Sequence, residues 1–242
     1  GADAALTARQ AEAYDLVVTA NRRYMPDDCL EHVASTYALA RDHGYHRTMV
    51  RFGLAWLGYG LEELDSPQPL LAPGELHPVV RWTSSVVQAK SIPAGTPVGY
   101  GSRWIADRAS TIALVPVGYS DGYPVPRAGG AAPQFVGLRS PHGAWVHAPV
   151  VGAVNMDQIT VDVTGFFEGD PHVWIGSEVE LVAREHGAPN GLPQLAAASG
   201  MIPHELLTRL NPRIPRATVS TQVIDVASHL EAEQPRAGFA AG

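Results

Sequence analysis

Five side chains capable of chemistry lie in three short segments, each just after an apolar run of sequence. They are Arg51, Tyr119, Asp121, Met156 and Asp157. An arginine carries a permanent positive charge, which is costly after an apolar strand unless it is paired or faces a ligand. A free phenol has a pKa near 10, so a tyrosine acts as a base at neutral pH only when a positioned partner takes its proton. Together these side chains suggest charge stabilisation and proton transfer.

Each segment taken alone also has a structural interpretation. Arg51 could form a buried pair with a carboxylate, because an unpaired charge after an apolar strand is costly. Residues 119–122 could be an ordinary turn. Met156 could fill the core. At the level of single segments these alternatives stay open.

Metal and nucleotide sites are not predicted. His43 and His46 are three residues apart, but Gly44 should break the helix that would bring them together, and no thiol or third ligand is spaced around them. The sequence contains neither a phosphate-binding loop ending in Gly-Lys-Ser/Thr nor a Gly-x-Gly-x-x-Gly fingerprint.

The first part of the chain reads as α/β. Apolar spacing predicts helices over residues 6–24 and 36–42, a short apolar run at 29–34, and a buried strand over 48–57. This order indicates the last part of a parallel barrel or sheet. It cannot close a (β/α)8 barrel, which normally takes about 250 residues.

Beyond residue 73 the sequence pattern changes to short runs of β-branched residues separated by turns that contain glycine and proline. The predicted strands are 79–90, 111–117, 145–154, 159–163 and 179–182, followed by short helices at 192–199 and 203–210. The tail from residue 231 is expected to be mobile. The predicted fold class is therefore α/β plus all-β, with residues 1–73 forming the α/β part and residues 74–242 a β-barrel or sandwich domain.

Composition excludes several classes of function. The 242 residues carry 24 acidic and 17 basic side chains, a net charge of −7, which disfavours nucleic acid as a partner. No apolar run is long enough to cross a membrane, and the first residues do not resemble a secretory signal. A single cysteine, Cys29, predicts a reducing cytoplasmic location. Lys90 is the only lysine in the chain.

In order along the chain, the motifs resemble those of the alanine racemase family of pyridoxal phosphate enzymes. The matching segments are 32–36, 49–54, 87–95, 98–101, 115–123, 151–152, 156–158, 161–163 and 213–216. The resemblance implies the end of an N-terminal (β/α)8 barrel that binds the cofactor, followed by a complete β domain that reaches the active site of a second subunit. It also implies a homodimer with shared active sites.

The resemblance assigns one group of residues to the cofactor. Arg51 corresponds to the arginine that faces the pyridine nitrogen and keeps it unprotonated, which makes the ring a weaker electron sink. His32 resembles the histidine that braces this arginine. The positions that resemble the phosphate contacts are Ser35, Thr36, Gly53 and Leu54.

A second group corresponds to the substrate side. Tyr119 resembles the catalytic tyrosine, one of two bases on opposite faces of the substrate Cα, while Met156 and Asp157 resemble the wall beside the substrate carboxylate. The family's cofactor lysine lies in a motif near the start of its barrel that is absent from these residues. Lys90 is interpreted as a surface residue of a β-domain strand.

The predicted function is pyridoxal phosphate-dependent interconversion of L- and D-alanine, with the lysine-bearing part of the barrel missing from this chain. That part could be truncated, cleaved or carried on another polypeptide. One alternative is a non-catalytic β module that dimerises or binds a partner. Another is a related racemase or epimerase that acts on a different amino acid.

Overall fold

The computed structural model describes residues 3–61, 66, 69–71, 75–127 and 132–219. The chain divides into two units, residues 1–211 and 212–242. In the second unit, residues 212–219 contain a turn and neither helix nor strand. The predicted mobile tail lies outside the described residues. All elements below belong to the first unit.

Two helices open the chain, as predicted. Helix α1 spans Ala4–Asn21, and the Asp3 carboxylate caps it by accepting hydrogen bonds from the N–H groups of Ala5 and Leu6 at 2.9 and 3.2 Å. A 3-10 helix at Arg22–Tyr24 continues it. Helix α2 spans Thr36–Arg41. No helix in the described part of the chain is long and apolar enough to cross a membrane.

The buried strand predicted over residues 48–57 is wrong. Residues 31–34 and 48–51 run parallel, with N–H donation from Met49 to Glu31 at 3.0 Å and from Arg51 to Ala34 at 3.2 Å. The Glu31 carbonyl also accepts from Thr48, so the pairing is too irregular to form a ladder. From residue 54 the chain turns into a 3-10 helix, Leu54–Leu57, which buries Leu54 instead.

Nine strands follow in the part of the chain that the structure describes. They are β1 Trp82–Ser85, β2 Gln88–Ile92, β3 Pro97–Val98, β4 Trp104–Ile105, β5 Ser110–Val115, β6 Phe135–Arg139, β7 Trp145–Val151, β8 Ile159–Asp162 and β9 Glu178–Val182. Seven form an antiparallel sheet in the order β1-β9-β6-β7-β8-β5-β2, while β3 and β4 pair separately. The predicted segment 79–90 splits into β1 and β2, while β3, β4 and β6 are further short strands that the sequence analysis did not name.

The two edges of this sheet are joined by the chain itself. Between β1 and β2, Val86 donates to Ser177 beside β9 at 3.0 Å, and the next residue, Val87, donates to Leu114 of β5 at 2.9 Å. Two consecutive residues therefore bond to opposite ends of the strand order. This requires the sheet to curl so that its edge strands β1 and β2 lie next to each other along the chain, which favours the barrel over the sandwich of the two predicted alternatives.

The core lies in the strands and in two short helices, α3 Leu192–Ala198 and α4 Pro203–Arg209. Side chains with no more than 1% exposure come from β5, β6, β8, β9 and both helices: Val115, Leu138, Ile159, Leu181, Leu195 and Leu206. Both helices carry proline in their first turn, where its missing N–H leaves no helical hydrogen bond unmade.

Candidate active site

Tyr119 lies on a turn at the end of β5. The turn is a 3-10 helix, Tyr119–Asp121, and one oxygen of the Asp121 carboxylate accepts a hydrogen bond from the Gly118 N–H at 3.0 Å. The Tyr119 side chain is 50% exposed. Its phenol is therefore accessible while its backbone is held.

One side of the turn is fastened to the loop that carries Met156. The Tyr119 N–H donates to the Asn155 carbonyl at 3.0 Å, and the Ser120 N–H donates to the Met156 carbonyl at 2.9 Å. A Cβ on Gly118 would lie only 2.4 Å from backbone atoms of Asn155 and Met156. Glycine is required here by close approach, because its φ of −144° is open to any residue.

The other side of the turn is fastened to the segment after α4. Gly122 has a φ of +102°, and a Cβ there would lie 2.4 Å from the Arg209 carbonyl oxygen. Asn211 donates twice, from its backbone N–H to the Asp121 carbonyl at 3.0 Å and from Nδ2 to the Ser120 carbonyl at 2.8 Å. The sequence reasoning missed Asn211, and its only local signal was an amide side chain directly before a proline.

The second tyrosine of this segment is unsuited to proton transfer. Tyr123 is 1% exposed, its ring lies 6.1 Å from that of Trp82, and its hydroxyl meets no partner among the described residues. Burial raises the pKa of the Tyr123 phenol well above its ordinary value. Only Tyr119 of this pair reaches solvent.

Met156 and Asp157 project outward. The Asn155 N–H donates to the Gln158 carbonyl at 3.0 Å, which closes the loop behind them. Met156 is 59% exposed and Asp157 is exposed. The interpretation of Met156 as core filler is therefore wrong, and the structure places both side chains on the loop that holds Tyr119.

Arg51 lies in the N-terminal part and is exposed. Its Nη2 donates to the Val33 carbonyl at 3.2 Å, and no carboxylate of a described residue pairs with it. The alternative of a buried arginine–carboxylate pair is wrong. His32 is half-buried, and its backbone N–H donates to the Tyr14 hydroxyl at 3.1 Å. Its ring Nδ1 is buried without a partner among the described residues. Within the same residues no hydrogen bond joins His32 to Arg51.

The other predicted cofactor residues flank this arginine in sequence. Ser35 precedes α2, is exposed, and its side chain makes no capping hydrogen bond, while Thr36 is the first residue of α2. The N–H groups of Gly53 and Leu54 donate to no acceptor among the described residues. A Cβ on Gly53 would meet nothing within 4 Å. Two backbone N–H donors that have no acceptor among the described residues and lie beside open space can bind an anion.

The site residues thus form two groups, one around Arg51 and one around Tyr119. Within the described residues no hydrogen bond, ion pair or ring contact joins the two groups. Lys90 belongs to neither: it is an exposed residue of β2, as predicted.

The geometry predicted for His43 and His46 is wrong. A 3-10 helix at His43–Tyr45 brings their Nδ1 atoms to 3.5 Å, because side chains three residues apart eclipse in this tighter helix. No group of three or more metal-binding side chains occurs among the residues the structure describes.

Comparisons with known proteins agree on one family. Residues 79–218 match the family model described as alanine racemase, C-terminal domain. The chain is 34% identical over 172 residues to the alanine racemase of Stutzerimonas stutzeri, covering 70% of this chain and 44% of the relative. It is 29% identical over 214 residues to that of Halothermothrix orenii, covering 88% of this chain and 52% of the relative.

A solved structure gives the same result. The alanine racemase from Streptomyces coelicolor A3(2) superposes with a TM-score of 0.68 at 28% identity, covering 88% of this chain and 51% of the neighbour. The chain spans about half the length of the relatives it matches.

Proposed function

Because the chain belongs to the alanine racemase family, as its motifs predicted, we propose that it supplies one part of a pyridoxal phosphate enzyme that interconverts L- and D-alanine. The observation that carries the proposal is the exposed Tyr119 phenol on a turn clamped from both sides. A general base needs this combination of access and fixed position.

The residues around Arg51 fit the cofactor. The Arg51 guanidinium, which pairs with no carboxylate of a described residue, can face the pyridine nitrogen. The N–H groups of Gly53 and Leu54, which meet no acceptor among those residues, can bind the phosphate together with the hydroxyls of Ser35 and Thr36. His32, with its buried unpartnered Nδ1, is proposed to brace the arginine once the site is complete. We propose that residues 1–73 belong to the cofactor-binding barrel and residues 74–242 to the β domain.

Bound pyridoxal phosphate would withdraw electrons from the substrate and acidify its Cα–H. Arg51 would face the ring nitrogen and, as a permanent cation, would disfavour its protonation. Tyr119 Oη, as the phenolate, would accept the Cα proton on one face, and as the phenol would donate one when the reaction runs in the other direction. Met156 and Asp157 would form the wall beside the substrate carboxylate.

A second copy of the chain completes the proposed site. Since no hydrogen bond, ion pair or ring contact joins the Arg51 and Tyr119 groups among the described residues, we propose that Tyr119 and Met156 of one subunit act at the cofactor of its partner. The second base is the cofactor lysine, which we place outside these 242 residues because Lys90 is the only lysine among them and lies in β2.

The test compares the complete protein, including the region that precedes this chain, with the 242-residue chain alone. After borohydride reduction and denaturation, mass spectrometry should find pyridoxal phosphate on a lysine of the preceding region, and the complete protein should convert L-alanine to D-alanine. The chain alone should do neither. An adduct on Lys90 in an active protein would overturn the assignment, and a complete protein that never racemises alanine would favour the non-catalytic module.

Asn211 gives a prediction about positioning. Asn211→Ala in the complete protein removes the donor to the Ser120 carbonyl, so the Tyr119 turn should shift on one side. We expect kcat to fall by up to about 100-fold, the scale of a small misplacement of a catalytic group, with KM nearly unchanged. Asn211→Asp should behave like Ala because a carboxylate cannot donate, whereas Asn211→Ser, which keeps a donor, should recover part of the loss. Equal losses in all three variants would contradict a role for the hydrogen bond.

A further inference from the structure

A separate cavity of about 230 Å³ lies against strands β2, β5 and β8 beside the β3 strand. Neither Arg51 nor Tyr119 lines it. Drug-sized ligands usually occupy cavities of about 300–1,000 Å³, so this one suits a smaller molecule.

The polar side chains of the cavity share one property, which is that each can donate a hydrogen bond. They are Gln88, Lys90, Thr96, Asn155, Gln158 and Thr160. Lys90 is the only charged residue lining it, and no aspartate or glutamate does so among the described residues. A donor-rich cavity with one ammonium group favours an anion.

The remaining surface is apolar. Ile92, Val98 and Ile112 belong to one buried cluster, and all three also line the cavity. A ligand there would meet both hydrogen-bond donors and aliphatic side chains, and Lys90 lies directly across the β2–β5 pair from Ile112. The chemistry that matches both is a carboxylate with a short hydrocarbon chain.

We propose that this cavity binds small aliphatic carboxylates, with Lys90 as the principal anion contact. An α-amino group would weaken binding, because a second cation beside Lys90 would be repelled and no acidic side chain would receive it. The cavity therefore differs in selectivity from the proposed active site, which must accept alanine. The proposal that this cavity binds carboxylates does not depend on the proposed function.

The cavity also touches the loop that carries Met156. Asn155 and Gln158 line it, they are hydrogen bonded to each other, and the Asn155 carbonyl accepts the Tyr119 N–H. An occupant would therefore contact the residues that hold the Tyr119 turn. Any effect of that contact on racemisation rests on the proposed function, whereas binding itself does not.

The experiment is a titration of the isotope-labelled 242-residue chain with butyrate, followed by amide NMR. We expect saturable shifts at residues 88–90, 155, 158 and 160. Lys90→Gln should weaken binding about tenfold or more, because it removes a charged hydrogen-bond donor. Arg184→Gln is the matched control: Arg184 is exposed, does not line the cavity, and its substitution removes the same charge. It should change affinity less than about twofold.

Further titrations separate the alternatives. Butylamine, with the same chain and the opposite charge, should not bind, and L-alanine should shift these amides less than butyrate does. Thr160→Val, which keeps the shape and removes one donor, provides a second variant with an intermediate loss. Unchanged butyrate binding in Lys90→Gln, equal binding of butylamine, or shifts confined to other residues would each overturn the proposal.

Discussion

Replacing Tyr119 with phenylalanine in the complete protein is expected to lower kcat for alanine racemisation by about 10²–10⁴-fold, the usual contribution of a positioned general acid or base. The substitution removes only the hydroxyl oxygen. The backbone bonds from Tyr119 to Asn155 and from Ser120 to Met156 remain, so the turn should keep its place. Cofactor content, measured by absorbance and by reduction followed by mass spectrometry, should be unchanged.

The matched control is Tyr123→Phe, which removes the same atom from the same segment. Because the Tyr123 hydroxyl is buried and meets no partner among the described residues, its loss should leave kcat nearly unchanged and stability equal or slightly higher. Similar losses in both variants would show that the turn tolerates no change and that Tyr119 is not a base. An unchanged rate in Tyr119→Phe alone would refute the assignment directly.

The helices and strands that were predicted correctly are those whose sequence signals are local. Apolar spacing, together with glycines and prolines at the element boundaries, predicts helix α1, most of the strands and the two helices with proline in their first turn. The exposed Tyr119 turn follows from the same signals, since flanking glycines after a β-branched run permit a tight turn. The assignment of chemistry to it came from the order of motifs.

The failures have a different origin, because they depend on distant neighbours. Residues 48–57 carry an apolar pattern, but a strand also needs a regular partner, and residues 31–34 provide only an irregular one. β6 contains Gly137, which weakens its local strand pattern, and both of its partners, β7 and β9, lie later in the chain. The clamp made by Asn211 joins positions about ninety residues apart, which no local rule can detect.

The second large effect is expected at Gly118. Gly118→Ala would place a Cβ 2.4 Å from the Asn155 carbonyl oxygen and from the backbone of Met156. Backbone atoms cannot rotate away as a side chain can, so the turn and the Met156 loop must separate. Such overpacking typically costs about 1–3 kcal/mol of stability, and a displaced catalytic group can lose about 100-fold in rate. Denaturant unfolding and steady-state kinetics on the complete protein measure the two effects.

Gly143→Ala tests whether contact, rather than glycine's backbone freedom, is responsible. Gly143 has a φ of +85°, yet a Cβ there would meet nothing within 4 Å. Alanine should strain that turn by about 1 kcal/mol and leave kcat unchanged. Gly118 has the opposite properties, an unstrained backbone and no space. If Gly118→Ala lowers kcat and Gly143→Ala does not, the close approach of two main chains holds Tyr119 in position. A side-chain partner for the Tyr119 phenol is then not needed to explain where Tyr119 lies.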